Sequence, residues 1–469
     1  MKKITLMFLL LVLVTGLIGC SQSAPATEAP AAEAPAATEA PAAVEAPATE
    51  APATEAPATE APAAEAPAAA KTHISILRPG DQEKVELFME PAIEQFMIEN
   101  PDIEVEIIYE SWGGWIQKYP TLFESDTQPD VVFWWDNKQN DASVAGKLVR
   151  LNDYLDPELV AKIPQAAWDM VSLNDEDIFY VPSTTDVFVL MYNKDVFKAA
   201  GLDPEAPPTT WDELLAASKA ISENTDVPGI GVPGRTGLEV LQEFVTNFVV
   251  ARTGQDMINA DNEATFNTPE GLEAMQFLSE LFQYAEPSAT EFGRGELRPL
   301  LRDGQIGMIV DSAWAIPTFQ AAFGENLDTS PIGFAQLPVV APGSPKVVWM
   351  GTNGWVATRA DTAEASAKLI NYMMRDEVLF EHHKAYGSIP MFDYELEQDF
   401  YNYDFWRLMH DEVNTYELHG MLGKYSATPA AFYADLEEVW QLLLLGQIDA
   451  QTAIDMAVEK VDAINARQQ

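Results

Sequence analysis

From Lys71 onward the chain alternates between two hydrophobic periods. His73-Ile74-Ser75-Ile76-Leu77 reads as a short strand. Val85, Phe88, Met89, Ile93, Phe96 and Met97 recur at helical spacing, which predicts a helix over 85–98 that Asn100-Pro101 stops. Ile103-Glu104-Val105-Glu106-Ile107 alternates strictly, as a half-buried strand does. Asp130-Val131-Val132-Phe133-Trp134 is a buried strand, followed by a helix near Ala142. Phe188-Val189-Leu190-Met191-Tyr192 and Ile306-Gly307-Met308-Ile309-Val310 are further strands. Thr210 stands where a helix N-cap is wanted, ahead of Trp211-Asp212-Glu213. This rhythm predicts an α/β fold with mostly parallel sheets covered by helices on both faces. In such sheets ligands gather beyond the carboxyl ends of the strands.

Upstream of Lys71 the pattern changes twice. Lys2 and Lys3 precede an apolar run over 4–14, and Leu17-Ile18-Gly19 leads to Cys20, the only cysteine. This reads as a secretory signal. Leu17-Ile18-Gly19-Cys20 resembles the lipobox of bacterial lipoproteins, which implies a signal peptide over 1–20 and acylation of Cys20. Several acyl chains anchor durably where one binds marginally. Residues 21–70 then repeat Glu-Ala-Pro variants such as Glu28-Ala29-Pro30 and Glu55-Ala56-Pro57. Recurrent proline breaks helices and strands alike, and like-charged glutamates stretch the segment. The expectation is a disordered tether, about 3.1 Å per residue and roughly 150 Å when fully extended. With a single cysteine, no intrachain disulfide can form. The formal net charge of −46 repels a phosphate backbone, so nucleic-acid binding is not expected.

The loops after the expected strands carry the chemistry. Seven of the eleven tryptophans lie at predicted strand ends or beside glycine, often next to Asp or Asn. A sugar ring offers an apolar C–H face and a rim of hydroxyls. Indoles cover the face, while carboxylates and amides take the hydroxyls. The candidate binding residues are Asp81, Trp112, Trp115, Trp134, Trp135, Asp136, Asn137, Asp186, Asp311, Trp314, Asn353 and Trp355. Trp168, Trp211 and Trp440 read as helix-packing residues. Other motifs are weaker. Gly229-Ile230-Gly231-Val232-Pro233-Gly234 matches a dinucleotide loop only by letter, since prolines bracket it. The five histidines lack metal-site spacing, and Asn174-Asp175-Glu176-Asp177 lacks the glycine of a calcium loop. No metal, cofactor or catalytic residue is expected.

Several runs resemble the extracellular solute-binding proteins of ABC importers, in the sugar-binding, maltose-binding-protein-like group. They are Pro129-Asp130-Val131-Val132-Phe133-Trp134, Tyr192-Asn193-Lys194-Asp195, Pro208-Thr209-Thr210-Trp211-Asp212-Glu213, Asp303-Gly304-Gln305-Ile306-Gly307-Met308 and Gly387-Ser388-Ile389-Pro390. The resemblance implies a periplasmic-binding-protein-like type II fold, two α/β lobes with a central ligand cleft. It implies 71–185 and 312–360 in the first lobe and 186–311 and 361–469 in the second. Crossings would fall near Ser183–Asp186, Asp311–Trp314 and Thr358–Asp361. It also implies Asp186 as a hydroxyl acceptor, Trp314 as a stacking platform, Trp134 with Asp136 or Asn137 as an aromatic-polar pair, and Tyr433 as a late aromatic contact. Residues 395–420 read as an insertion. The implied function is capture of a sugar by a lipid-anchored monomer and delivery to permease subunits, without catalysis. A secreted carbohydrate-active hydrolase is the alternative, since acidic pairs abundant here could flank one glycosidic bond. A binder of a peptide or polyamine is the other.

Overall fold

A computed structural model of the protein describes residues 71–468, apart from 126, 136–145, 173–175, 239, 260 and 420–428. Cys20, the tether, the helix expected near Ala142 and the candidates Asp136 and Asn137 lie outside the described residues.

The first sheet has six strands. β1 (Thr72–Leu77) runs parallel to β2 (Ile103–Ile108) and to β3 (Val131–Trp135). Helix α1 (Gln82–Glu99) joins the first two, and α2 (Trp112–Glu124) leads towards β3. β4 (Tyr180–Val187) passes directly into β5 (Val189–Asn193), the first strand of the other sheet. Helix α3 (Trp211–Asn224) follows, held at its start by Thr210 and Glu213 in a reciprocal capping box. Next come β6 (Ile230–Gly231), α4 (Val240–Thr253), α5 (Arg294–Arg302), β7 (Met308–Asp311) and β8 (Ile332–Ala335). The four strands of the second sheet lie in the order β6-β7-β5-β8. The chain then returns through β9 (Val347–Ala357), α6 (Ala363–Met373) and α7 (Asp376–Tyr386). It ends with α8 (Asp404–Thr415), β10 (Glu417–His419), α9 (Pro429–Leu444) and α10 (Ala450–Gln468).

The α/β class stands, but the sheets are more mixed than the rhythm suggested. β9 is antiparallel to both β3 and β4, and β5 is antiparallel to β7 and β8. The reason is the route of the chain. A strand that comes back from the other sheet enters from the opposite direction.

The separate cores correct the expected boundaries. One core joins Ile74, Phe96 and Phe133 to Leu369, Met373 and Leu379, so α6 and α7 belong with the first sheet. The reading that put 361–469 in the second lobe therefore fails for these helices, whose apolar faces are spent on α1 and β1. β8 pairs with β5 in the second sheet, so 312–360 is not wholly in the first lobe either. Of the expected crossings, 183–186 does lie where β4 passes to the second sheet. Asp311–Trp314 does not cross, because Val310, Ala313 and Ile316 all sit in the second core. Thr358–Asp361 does not cross, because β9 before it and α6 after it both pack in the first. β9 itself spans both: Val347 to Met350 pack in the second core, Trp355 and Ala357 in the first. Within residues 395–420, read as an insertion, Phe405, Trp406 and Met409 are buried in the second core.

The glycine-rich run at 229–234 is explained by packing. A Cβ at Gly229 would lie 2.1 Å from the Ser218 carbonyl oxygen, so only glycine lets β6 approach α3.

Candidate ligand-binding site

β1, β3 and β4 are mutually parallel across the first sheet, so their carboxyl ends share one edge. Arg78, Trp135 and Asp186 stand there. The second sheet brings the start of β5 and the end of β7 to the same junction, because Val189 pairs with Asp311. Phe188, Asp311 and Trp314 follow from that register.

Asp186 is fully buried. The Thr184 hydroxyl donates to its Oδ2 at 3.1 Å. Burial pushes its carboxyl up to about 7, against the opposing pull of Thr184, His383, Trp314 and Asn353. Asn353 also donates to Thr184 Oγ1 at 3.3 Å, which ties β9 to β4 beneath the site. Trp314 is half-buried and stands edge-on to Phe188, with centroids 6.4 Å apart. Trp112, the first residue of α2, is also half-buried and lies edge-on to Trp135 at 5.5 Å. Asp81 is exposed at the rim, where it caps α1 by accepting from the Glu83 amide at 3.1 Å.

Four other candidates are packed away. Trp115, Trp134 and Trp355 have no exposed surface, and Tyr433 is 1% exposed. Trp134 is boxed in by Trp115, Tyr119 and Phe123 at 5.0–5.8 Å. Trp134 and Trp355 stand on strands covered on both faces, so their rings point into cores, and Trp115 and Tyr433 turn inward from α2 and α9. Trp135 is 8% exposed and packs on Trp112 and Tyr119. Asp311 reaches the junction but its oxygens are taken. Arg298 donates to both, at 2.8 and 3.0 Å, and the Ser312 amide donates to Oδ1.

The basic residues were missed by the sequence reading. Arg78 is 4% exposed, with its guanidinium 3.4 Å from the Tyr386 ring centroid and 4.4 Å from that of Phe133. His382 takes a hydrogen bond from it at 3.2 Å. Burial lowers the Arg78 pKa to about 10 and holds His382 neutral. Arg294 is 8% exposed, lies over Phe188 at 4.5 Å and pairs with Glu243. Arg78 stood in a loop that the pattern did single out, yet only Asp81 was taken from it. Arg294 and Arg298 share a helix face that no local pattern points at a site.

A buried histidine ties α7 to β4. His383 Nε2 donates to the Ser183 carbonyl at 2.8 Å, and Nδ1 faces Glu395. Burial acts to lower its pKa, but Glu395, Ser183 and Asp186 outweigh it and leave it raised. Ser183 sits where the β4–β9 register slips.

A separate groove of about 700 Å³ lies beside β8, lined by Pro208, Phe334, Leu337, Arg407 and Tyr416 among others, and shares no residue with this junction.

Residues 80–379 match the sequence model of the bacterial extracellular solute-binding protein family. The chain belongs to this family. A putative binding protein of Brucella abortus is 21% identical over 391 residues, covering 80% of this chain and 89% of that one. An sn-glycerol-3-phosphate-binding periplasmic protein of Rhizobium meliloti is 25% identical, covering 62% and 68%. Among solved structures, a solute-binding protein of Thermotoga lettingae bound with α-D-tagatose superposes with a TM-score of 0.73 at 24% identity, covering 84% of this chain and all of that one. The fold of this solute-binding protein is therefore the type II periplasmic-binding-protein architecture. Its family places it outside the cytoplasm.

Proposed function

We propose that this solute-binding protein captures a sugar or oligosaccharide between its two sheets and hands it to an ABC permease. The observation that carries this reading is the half-buried Trp314 of the second lobe beside the buried carboxylate of Asp186, with the half-buried Trp112 of the first lobe 5.7 Å from the Arg78 guanidinium. Indole faces suit C–H surfaces, and an unsaturated carboxylate oxygen suits paired hydroxyls. Relatives support it: one is named as binding sn-glycerol 3-phosphate, another, in Halalkalibacterium halodurans, as binding arabinooligosaccharides. The buried Arg78 disfavours a polyamine, which would meet a cation it cannot neutralise.

The chemistry is binding and release. Ligand draws the lobes together through β4 and β9, and the closed form is what the permease reads. Cys20 anchors the protein, as a monomer, to the outer face of the membrane, and residues 21–70 lift the domain from it. The test is thermal melting of the protein with a panel of mono- and oligosaccharides. A matched sugar at 100 times its dissociation constant adds about 2.7 kcal/mol of stability. A panel that leaves melting unchanged, while peptides raise it, refutes the substrate class.

A further inference from the structure

Acidic residues outnumber basic ones 73 to 27 in this chain, yet basic side chains converge at the junction. Arg78 and Lys84 come from the first lobe, Arg294 and Arg298 from the second. The last two are matched by Glu243 and Asp311. The first two feel Asp186 and Asp81 respectively, but only at a distance. Among the described residues no carboxylate lies within 4.0 Å of Arg78 or Lys84. Arg78 Nε is buried with no acceptor, and so is the Tyr386 hydroxyl beside it. Both crowd Gly80, where a Cβ would lie 2.5 Å from the Tyr386 oxygen and 3.1 Å from an Arg78 nitrogen. That glycine immediately precedes Asp81, the cap of α1, and the guanidinium is 5.7 Å from Trp112 at the start of α2. Two helices thus begin near this guanidinium, α1 capped by Asp81 and α2 by Ser111. Lys84 is half-buried and feels burial, Asp81, and then the like charges of Arg298 and Arg78 from both sides of the cleft.

A guanidinium held in low dielectric with no carboxylate in contact and a free Nε is costly unless an anion answers it. A chain at −46 would also turn anions away unless a local patch admits them. We propose that the ligand is an anionic saccharide, whose carboxylate or phosphate is seated by Arg78 and Lys84 at the α1 and α2 N-termini while its ring lies against Trp314. This assignment rests on the sugar-binding reading and specifies its substrate class. Leu238 packs between the start of α2 and the start of α5: its methyls lie 3.4 and 3.2 Å from where Cβ atoms would stand on Gly113 and Gly293.

The experiment is titration calorimetry of the intact protein with matched pairs: glucose and glucuronate, galactose and galacturonate, and glucose with glucose 6-phosphate. The charged member of at least one pair is expected to bind at least tenfold more tightly, and less so as salt is raised. The uronates and the phosphate ester separate the two sources of charge. Lys84→Gln, at a half-exposed position, is expected to narrow that ratio several-fold with unchanged melting of the free protein. Arg78→Gln is expected to abolish it. If neutral sugars bind as well as or better than their charged partners, the anion assignment is overturned and the sugar reading stands. If inorganic phosphate binds and no saccharide does, the sugar reading fails and the anionic saccharide fails with it. If no charged member binds at all, the proposal is likewise overturned.

Discussion

Trp314 and Trp134 look alike in the sequence, each beside polar residues at a strand end, but they do different work. Trp314 keeps part of its ring open beside Asp186, while Trp134 is enclosed by other rings. Trp314→Ala should therefore weaken sugar binding by more than about 1 kcal/mol and leave melting close to wild type. Trp134→Ala should do the reverse, costing about 3–5 kcal/mol of stability as a cavity opens. Calorimetry and thermal melting on the two variants separate the roles. Asp186 adds a pH signature. Its carboxyl titrates near 3.8 when unfolded and about 7 when folded, so between those values unfolding releases a proton. Its contribution to stability thus falls as pH rises through that window. His383, raised above 6.5, acts in the same direction: its contribution is full below 6.5 and is lost as pH climbs through the folded value. Asp186→Asn should flatten the pH dependence of melting between about 4 and 7. A hydroxyl-donating ligand favours the ionised carboxylate, so binding near pH 6 should release protons in the wild type and not in Asp186→Asn. Calorimetry in buffers of different ionisation enthalpy reads this directly. Local pattern singled out Asp186 and Trp314, which stand together at the junction. It missed Arg78 because a strand-end arginine signals nothing until Tyr386, more than three hundred positions later in the chain, closes over it.

At the scale of elements, the helices were legible because their signals are local. The spacing from Val85 to Met97 gave α1, and Thr210 with Glu213 gave the start of α3. Thr210→Ala should cost about 1 kcal/mol, seen as a lowered denaturation midpoint, because it removes the acceptor for the Glu213 amide. Strand direction was less legible. Periodicity reports which face is buried, not which way the chain arrives. β9 is buried along its whole length because it serves both cores, and its sequence, apolar at both ends with Gly351-Thr352-Asn353-Gly354 between, carries no mark of that. The positions where the chain changes sheet were misjudged for the same reason. Crossing is settled by what α6 and α8 pack against, which is a property of distant partners.

At the scale of the whole molecule, β4 and β9 form a paired ribbon linking the two cores, with His383 and Glu395 braced against Ser183. Closure would bend this ribbon about the irregularity at Ser183. The division into two lobes was implied by the family resemblance, and the length of the chain past residue 70 permits it. Cys20→Ala should release the protein from membranes on fractionation. Retention in the membrane pellet would refute the anchor.

Titration calorimetry of the intact protein with a broad saccharide panel, followed by mass spectrometry of the recovered ligand, tests the central claim most directly. The expected result is one saccharide bound per chain and recovered with every glycosidic bond intact. A ligand recovered cleaved, or a panel in which no saccharide binds, would contradict it.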